Sequence, residues 1–122
     1  MSNNLEIIIV VKGDEKELKS FLQLSQETKC IEEWSYGLNE LDQVFLLLWC
    51  SSKECLSTSQ FLSINLKSLQ IKIEMLDSIK KYIAVHQISK GFVETFSCIY
   101  NSPEILEDFV STHQVTEITQ VC

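Results

Sequence analysis

The chain has 122 residues, of which 45% are hydrophobic, and its 17 acidic residues outnumber 10 lysines to give a formal net charge of −7. This length and hydrophobic content are typical of one compact domain, so we expect residues 1–122 to form a single domain. The sequence contains no arginine, the residue best suited to bidentate phosphate contacts, which argues against direct nucleic-acid binding and is compatible with a basic protein partner.

The N-terminal residues predict a strand followed by a helix. Residues 5–11 (LEIIIVV) form a β-branched apolar run that is apolar on both faces and therefore predicts a central strand. Asp14 is placed as a helix N-cap with Glu17 as its capping-box partner. Apolar residues at helical spacing follow, so the sequence predicts a helix over 14–27 with one stripe on the sheet.

The next segment predicts a hairpin and a second helix. Residues 30–36 and 44–50 have the composition of two strands, and the polar turn between them indicates a hairpin. Ser57 and Gln60 have the spacing of another capping box, ahead of a helix predicted over residues 58–68.

The order of the predicted elements indicates the fold class. A strand at 69–76 completes a βαββαβ core over residues 5–76, which is the ferredoxin-like pattern of an antiparallel sheet with its helices on one face. Residues 81–88 and 92–100 then predict a C-terminal hairpin, which either extends the sheet or projects from it. The predicted class is therefore α+β, ferredoxin-like, with an added hairpin and a short helix.

The C-terminal residues predict that short helix and a tail. Ser102 before Pro103 has the pattern of a capping residue followed by proline at the first helical position. The hairpin and helix together are expected to span residues 80–112. Residues 113–122 are assigned as a tail, whose β-branched part from 115 onwards is expected to be loosely docked.

The cysteines and histidines predict no metal site and no disulfide framework. There are five cysteines, an odd number, and the chain starts without the basic segment of a secretory signal, so reduced thiols are expected. Neither the cysteine spacing nor the two histidines match a zinc site. The apolar run 44–50 is far shorter than the roughly 20 residues of a membrane span. We therefore expect a soluble, cytoplasmic protein without a cofactor.

A stretch of the chain is similar to a known group of domains. The residues that carry the likeness are the IEEW of 31–34, the LWCSS of 48–52 that leads into a helix, and the fourth strand that leads to a hairpin. Over residues 30–92 the chain resembles small ferredoxin-like domains encoded by phages and conjugative plasmids, some beside antirestriction genes. The resemblance implies a ferredoxin-like fold and a mobile-element setting.

Two functional hypotheses follow. The first is a non-enzymatic inhibitor or immunity protein, of the anti-CRISPR, antirestriction or toxin-antidote type, which covers the basic surface of a nuclease, toxin or defence effector. A homodimer is compatible with this hypothesis, and a membrane or nucleic-acid partner is not expected. The partner-binding residues are predicted to be acidic residues around a turn with aromatic anchors: Glu32, Glu33, Trp34, Tyr36, Glu40 and Asp42.

The second hypothesis is a small enzyme or ligand-binding domain. Its pocket would lie between the sheet and the C-terminal hairpin, near Tyr82, His86 and Cys98. A cysteine nucleophile needs a base within hydrogen-bond reach, and His86 and Cys98 are placed to face each other across that hairpin. The simpler alternatives are that these residues only line a sheet and that the acidic residues only keep the protein dispersed.

Overall fold

The computed structural model describes residues 5–28, 31–38, 41, 43–50 and 53–115. Within these ranges the protein is an α+β structure with a six-stranded antiparallel sheet and three helices. The strands are β1 (Leu5–Lys12), β2 (Ile31–Leu38), β3 (Val44–Cys50), β4 (Gln70–Asp77), β5 (Tyr82–Ser89) and β6 (Phe92–Ile99), and the helices are α1 (Glu15–Gln26), α2 (Glu54–Asn65) and α3 (Pro103–His113).

The strands lie in the order β2-β3-β1-β4-β5-β6, with every neighbouring pair antiparallel. The prediction of a central first strand is confirmed, because β1 pairs with β3 on one side and β4 on the other. The predicted C-terminal hairpin extends the sheet through β5 rather than projecting from it, so the sheet is larger than the four strands of the predicted core.

Apolar side chains from alternate positions of the strands build a core on each face of the sheet. Ile9 and its alternate neighbours in β1 pack with α1 and α2 on what we call the two-helix face. Ile8 and Val10 pack instead with Phe109 of α3 on the opposite side, the one-helix face. The pattern arises because successive side chains of a strand point to opposite faces. The prediction that the first two helices share a face is confirmed, whereas α3 covers the other face.

The start of α1 is capped as predicted, with one difference. The Asp14 carboxylate accepts hydrogen bonds from the backbone N–H of Lys16 and Glu17, at 3.1 and 3.3 Å. The prediction that Glu17 completes a capping box is wrong, because its carboxylate accepts from the Ser68 N–H and hydroxyl, at 2.8 and 2.6 Å. The Ser68 hydroxyl in turn accepts from the Asp14 N–H at 3.0 Å. A residue from the loop before β4 thus replaces the local partner.

The start of α2 differs from the prediction. The helix begins at Glu54, so Ser57 lies inside it and donates to the Glu54 carbonyl at 3.1 Å instead of acting as a cap. Gln60 donates to the Gly91 carbonyl at 3.0 Å, and the Gly91 N–H donates to the Ser63 hydroxyl at 2.8 Å. The polar residues of α2 therefore tie this helix to the turn between β5 and β6.

The C-terminal helix begins as predicted and ends with a buried residue. The Ser102 hydroxyl accepts from the Ile105 N–H at 3.4 Å, with Pro103 in the first turn. Val115 is fully buried in the core of the one-helix face, so the expected loose docking is wrong for this residue. Residues 116–122 lie outside the described part. In the described ranges, no helix has the length and apolar character needed to cross a membrane.

Candidate interaction surface

Strand β2 forms one edge of the sheet. It is first in the strand order and pairs with β3, and in the described residues no strand pairs with its outer side. An edge strand presents N–H and C=O groups that a strand of another chain can pair with. The register of β2 shifts between Ile31 and Glu33, which marks a bulge that disrupts regular pairing at this end. The segment from Trp34 to Leu38 keeps an uninterrupted register against β3.

An exposed apolar stripe lies along this regular segment. Trp34, Tyr36 and Leu38 alternate along the strand and are opposite Leu48, Leu46 and Val44, whose side chains belong to the core of the two-helix face. The three side chains are nevertheless 42%, 40% and 65% exposed. We name these three residues the β2 stripe.

The two aromatic residues of the β2 stripe support each other. The rings of Trp34 and Tyr36 pack edge to face, with their centroids 5.4 Å apart and their planes at 78°. This is a favoured aromatic geometry. The sequence hypothesis named Trp34 or Tyr36 as an anchor but missed Leu38. Leu38 follows Tyr36 by two residues in the same strand, so the alternation of side chains could have predicted that it shares their face. Leu41, which is also well exposed, was missed as well.

The predicted acidic residues lie partly on a different face from the aromatic residues. Glu32 and Glu33 are both exposed. Glu33 is opposite Trp49, which packs against the core of the one-helix face, so Glu33 and the β2 stripe lie on opposite faces. The residues predicted from the sequence to form a single contact cluster are therefore divided between the two faces of the sheet. Two further members of that prediction, Glu40 and Asp42, lie outside the described residues.

The residues of the alternative pocket are separated by the sheet. His86 is opposite Thr95, whereas Cys98 is opposite Ile83, three positions away in β5. An odd separation places two side chains on opposite faces, and Cys98 indeed packs against the core of the one-helix face. The prediction that His86 and Cys98 face each other is wrong, and Tyr82, His86 and Cys98 do not line one pocket.

His86 and Cys98 have the properties of structural side chains. The His86 ring is buried, and its Nδ1 lies 2.8 Å from the Thr95 hydroxyl. Burial lowers the pKa of His86 below its usual 6.5, since a buried imidazolium loses hydration. Burial also raises the pKa of the Cys98 thiol. Neither change activates a cysteine nucleophile.

A groove of about 740 Å³ opens on the one-helix face beside the end of α3. Its lining combines apolar side chains with Lys12, Lys72 and Glu94. Lys72 Nζ lies 3.1 Å from the fully buried carboxylate of Glu74 and donates to the Gln114 carbonyl at 3.4 Å. The lysine charge therefore serves to balance a buried carboxylate and to hold the end of α3. Among the residues that the structure describes, no group of three or more metal-ligating side chains is assembled.

Comparison of this chain with protein-family models, with curated proteins and with solved structures finds no match.

Proposed function

We propose that this protein is a non-enzymatic binding protein of the inhibitor or immunity type, which covers the basic surface of a nuclease, toxin or defence effector. The observation that carries the proposal is the β2 stripe: an exposed Trp34–Tyr36 pair and Leu38 on the strand that forms one edge of the sheet in the described part of the chain. Tryptophan and tyrosine are enriched among the residues that dominate binding energy. The surrounding chain has a net charge of −7, so the preferred partner is basic.

We also propose that residues 5–76 form a ferredoxin-like core. The order β2-β3-β1-β4, with α1 and α2 on one face, supports this part of the proposal. In this reading β5, β6 and α3 are an addition to that core. We further propose that the protein acts in the cytoplasm and belongs to the phage or plasmid setting that the sequence resemblance implies.

The edge of the sheet indicates how a partner would bind. A strand of the partner can pair with β2 beyond the bulge, where the register is regular, and gain main-chain hydrogen bonds. The β2 stripe would then bury apolar surface on one face. Glu33 would contact basic groups from the other face, and Glu32 lies at the bulged end of the same strand. The strand carries two glutamates and no lysine, so the edge has the charge that a basic partner requires.

The test compares two double variants of the whole chain. In the first, Trp34→Ala and Tyr36→Ala remove the aromatic pair. In the matched control, Phe61→Ala and Ile79→Ala remove exposed apolar side chains from α2 and from the turn after β4. Each protein is immobilised and exposed to a lysate of the native host, and proteins bound by the wild type are identified, purified and assayed one at a time by calorimetry.

The proposal expects a basic, nucleic-acid-binding or nucleolytic protein that loses activity when bound. Its affinity should fall about 30-fold or more in the aromatic variant, as the loss of a hot spot predicts, and stay near wild type in the control. Equal affinity for both variants would contradict the proposed surface. Binding only to acidic proteins, or only to a second copy of this chain through β2, would contradict the proposed partner.

A further inference from the structure

Strand β6 forms the second edge of the sheet. It is last in the strand order, and in the part of the chain that the structure describes no strand pairs with its outer side. Its sequence, FVETFSCI, contains no proline or lysine, and its register against β5 has no shift. The strand therefore lacks the proline, lysine and bulge with which many proteins protect an edge, whereas β2 at the other edge carries a bulge.

The backbone groups of alternate β6 residues point away from β5. The Tyr100 N–H donates to the Lys81 carbonyl at 2.8 Å, which continues the β5–β6 register by one pair. In an antiparallel pair, residues that exchange hydrogen bonds alternate with residues whose N–H and C=O groups point to the other side. Counted back from Tyr100, the residues with outward-pointing groups are Val93, Thr95, Ser97 and Ile99. The outer side of β6 is thus a regular row of main-chain donors and acceptors.

The two ends of β6 carry exposed apolar side chains. Phe92 is 81% exposed and Ile99 is 72% exposed, which places them among the most exposed apolar residues of the described ranges. An odd separation puts the two side chains on opposite faces of the sheet. A partner that covers both of them must therefore extend along the whole strand.

We propose that two copies of this chain form a dimer by pairing their β6 strands antiparallel, about a two-fold axis that passes beside Phe96. In this register each outward-pointing residue lies opposite another: Val93 opposite Ile99 of the second copy, and Thr95 opposite Ser97. Two-fold symmetry repeats both pairs, and each pair exchanges two hydrogen bonds, so about eight hydrogen bonds form. A register centred on Thr95 or Ser97 forms fewer, so the length of the strand selects Phe96 as the centre.

The apolar side chains fit the same register. On the two-helix face, Ile99 packs against Val93 of the second copy. On the one-helix face, Phe92 packs against Tyr100 of the second copy, so both exposed ends are covered. Phe96 meets its own equivalent at the axis, as a non-hydrogen-bonded pair, in which opposite side chains are closest.

The charges also permit this pairing. Glu94 is the charged residue of β6, and in this register it lies opposite Cys98 of the second copy. The two Glu94 residues of the dimer are then roughly 13 Å apart along the strands. This distance exceeds the Debye length of about 8 Å at physiological ionic strength, so the pairing brings no like charges together.

Pairing of β6 with β6 gives a closed assembly. An interface that uses the same strand from both copies leaves no further β6 edge free, whereas pairing of β6 with β2 of the next copy would add chains without limit. The dimer leaves β2 at the far edge of each sheet. It therefore presents two β2 stripes and does not depend on the proposed function.

Sedimentation equilibrium of the full-length chain measures the association. With rising concentration the wild type should approach twice the chain mass of 14.0 kDa. Ile99→Asp places a carboxylate against Val93 of the second copy and should weaken the dimer by about tenfold or more. Ile79→Asp adds the same charge at a residue of similar exposure in the turn after β4, and the dimer should be as strong as in the wild type.

An engineered disulfide tests the register. The Cα atoms of a non-hydrogen-bonded pair are close enough for a disulfide, so Glu94→Cys should link to the native Cys98 of the second copy under mild oxidation and give a covalent dimer. Within one strand the two positions are roughly 13 Å apart and cannot be bridged. Cleavage after Phe92, Phe96 and Tyr100 gives peptides 93–96 and 97–100, which should stay joined until a reductant is added. In the control, Glu94→Cys with Cys98→Ser, these two peptides should separate without reductant.

A wild type that stays monomeric at every concentration would overturn the proposal, as would species that grow beyond a dimer. It would also be overturned if Ile99→Asp dimerised as strongly as Ile79→Asp. Loss of the dimer in the variant with Trp34→Ala and Tyr36→Ala would place the interface at β2 instead. The disulfide keeps the test decisive if Ile99→Asp does not fold, because absence of the link between positions 94 and 98 would by itself refute the register.

Discussion

Replacing Ser63 by alanine should destabilise the protein by an amount that the structure allows us to estimate. The Ser63 side chain is fully buried, its hydroxyl donates to the Gln60 carbonyl at 2.7 Å, and it accepts from the Gly91 N–H at 2.8 Å. The alanine variant leaves the Gly91 N–H, in the turn between β5 and β6, without this partner. Leaving a fully buried donor unsatisfied costs about 1–3 kcal/mol, and the half-buried position of Gly91 places the cost in the lower part of this range.

The helical position of Ser63 offsets part of that cost. Alanine is a better helix former than serine by a few tenths of a kcal/mol, so we expect a net loss of about 1–2 kcal/mol. For a chain of this size, each kcal/mol lowers the melting temperature by about 4 °C. The expected decrease is therefore about 4–8 °C, with a matching fall in the free energy of unfolding measured in urea.

A second serine of the same helix provides the control. Ser57 is exposed, and its hydroxyl donates to the Glu54 carbonyl within α2. The Ser57→Ala variant gains the same helix propensity without losing a contact between elements, so its stability should stay within about 0.5 kcal/mol of wild type. If the Ser63 and Ser57 variants unfold at the same urea concentration, α2 is not tied to the turn as described.

Two further predictions concern titration and charge. Burial holds the pKa of His86 in the folded protein below 6.5. As the pH falls, the His86 side chain therefore binds a proton in the unfolded chain before it does so in the folded protein. The contribution of neutral His86 to stability is present above about pH 6.5 and is lost as the pH falls through the folded pKa. The urea midpoint of the wild type should therefore drop more between about pH 7.5 and 5.5 than that of His86→Gln, and parallel curves would refute the assignment. With the partner in hand, association should slow as salt rises. Reversing the charge of the predicted acidic contact residues should weaken binding without unfolding the domain. Reversing the charge of exposed acidic residues on α3 should leave the affinity unchanged. The variant reverses Glu32, Glu33, Glu40 and Asp42, and the control reverses Glu104, Glu107 and Asp108. Unchanged affinity in the folded variant would show that these residues only keep the protein dispersed.

The sequence by itself predicted the features that depend on local chemistry. Residues 5–11 predicted the central strand because a β-branched run that is apolar on both faces is stable only when both faces are covered. Asp14 and Ser102 predicted helix starts because a cap satisfies N–H groups within three residues of itself. These interactions join neighbours in the chain, so spacing alone revealed them.

The tertiary structure decided the features that depend on distant residues. Ser68 replaced the local partner of Asp14, and the pairing of β2 with β3 decided that Trp34 lies on the two-helix face and Glu33 on the one-helix face. The register of β5 and β6 separated His86 from Cys98. A strand can shift by one residue with little change in local propensity, yet each shift moves every side chain to the other face. The contacts that fix the register, and with it which functional groups meet, come from packing across the whole sheet.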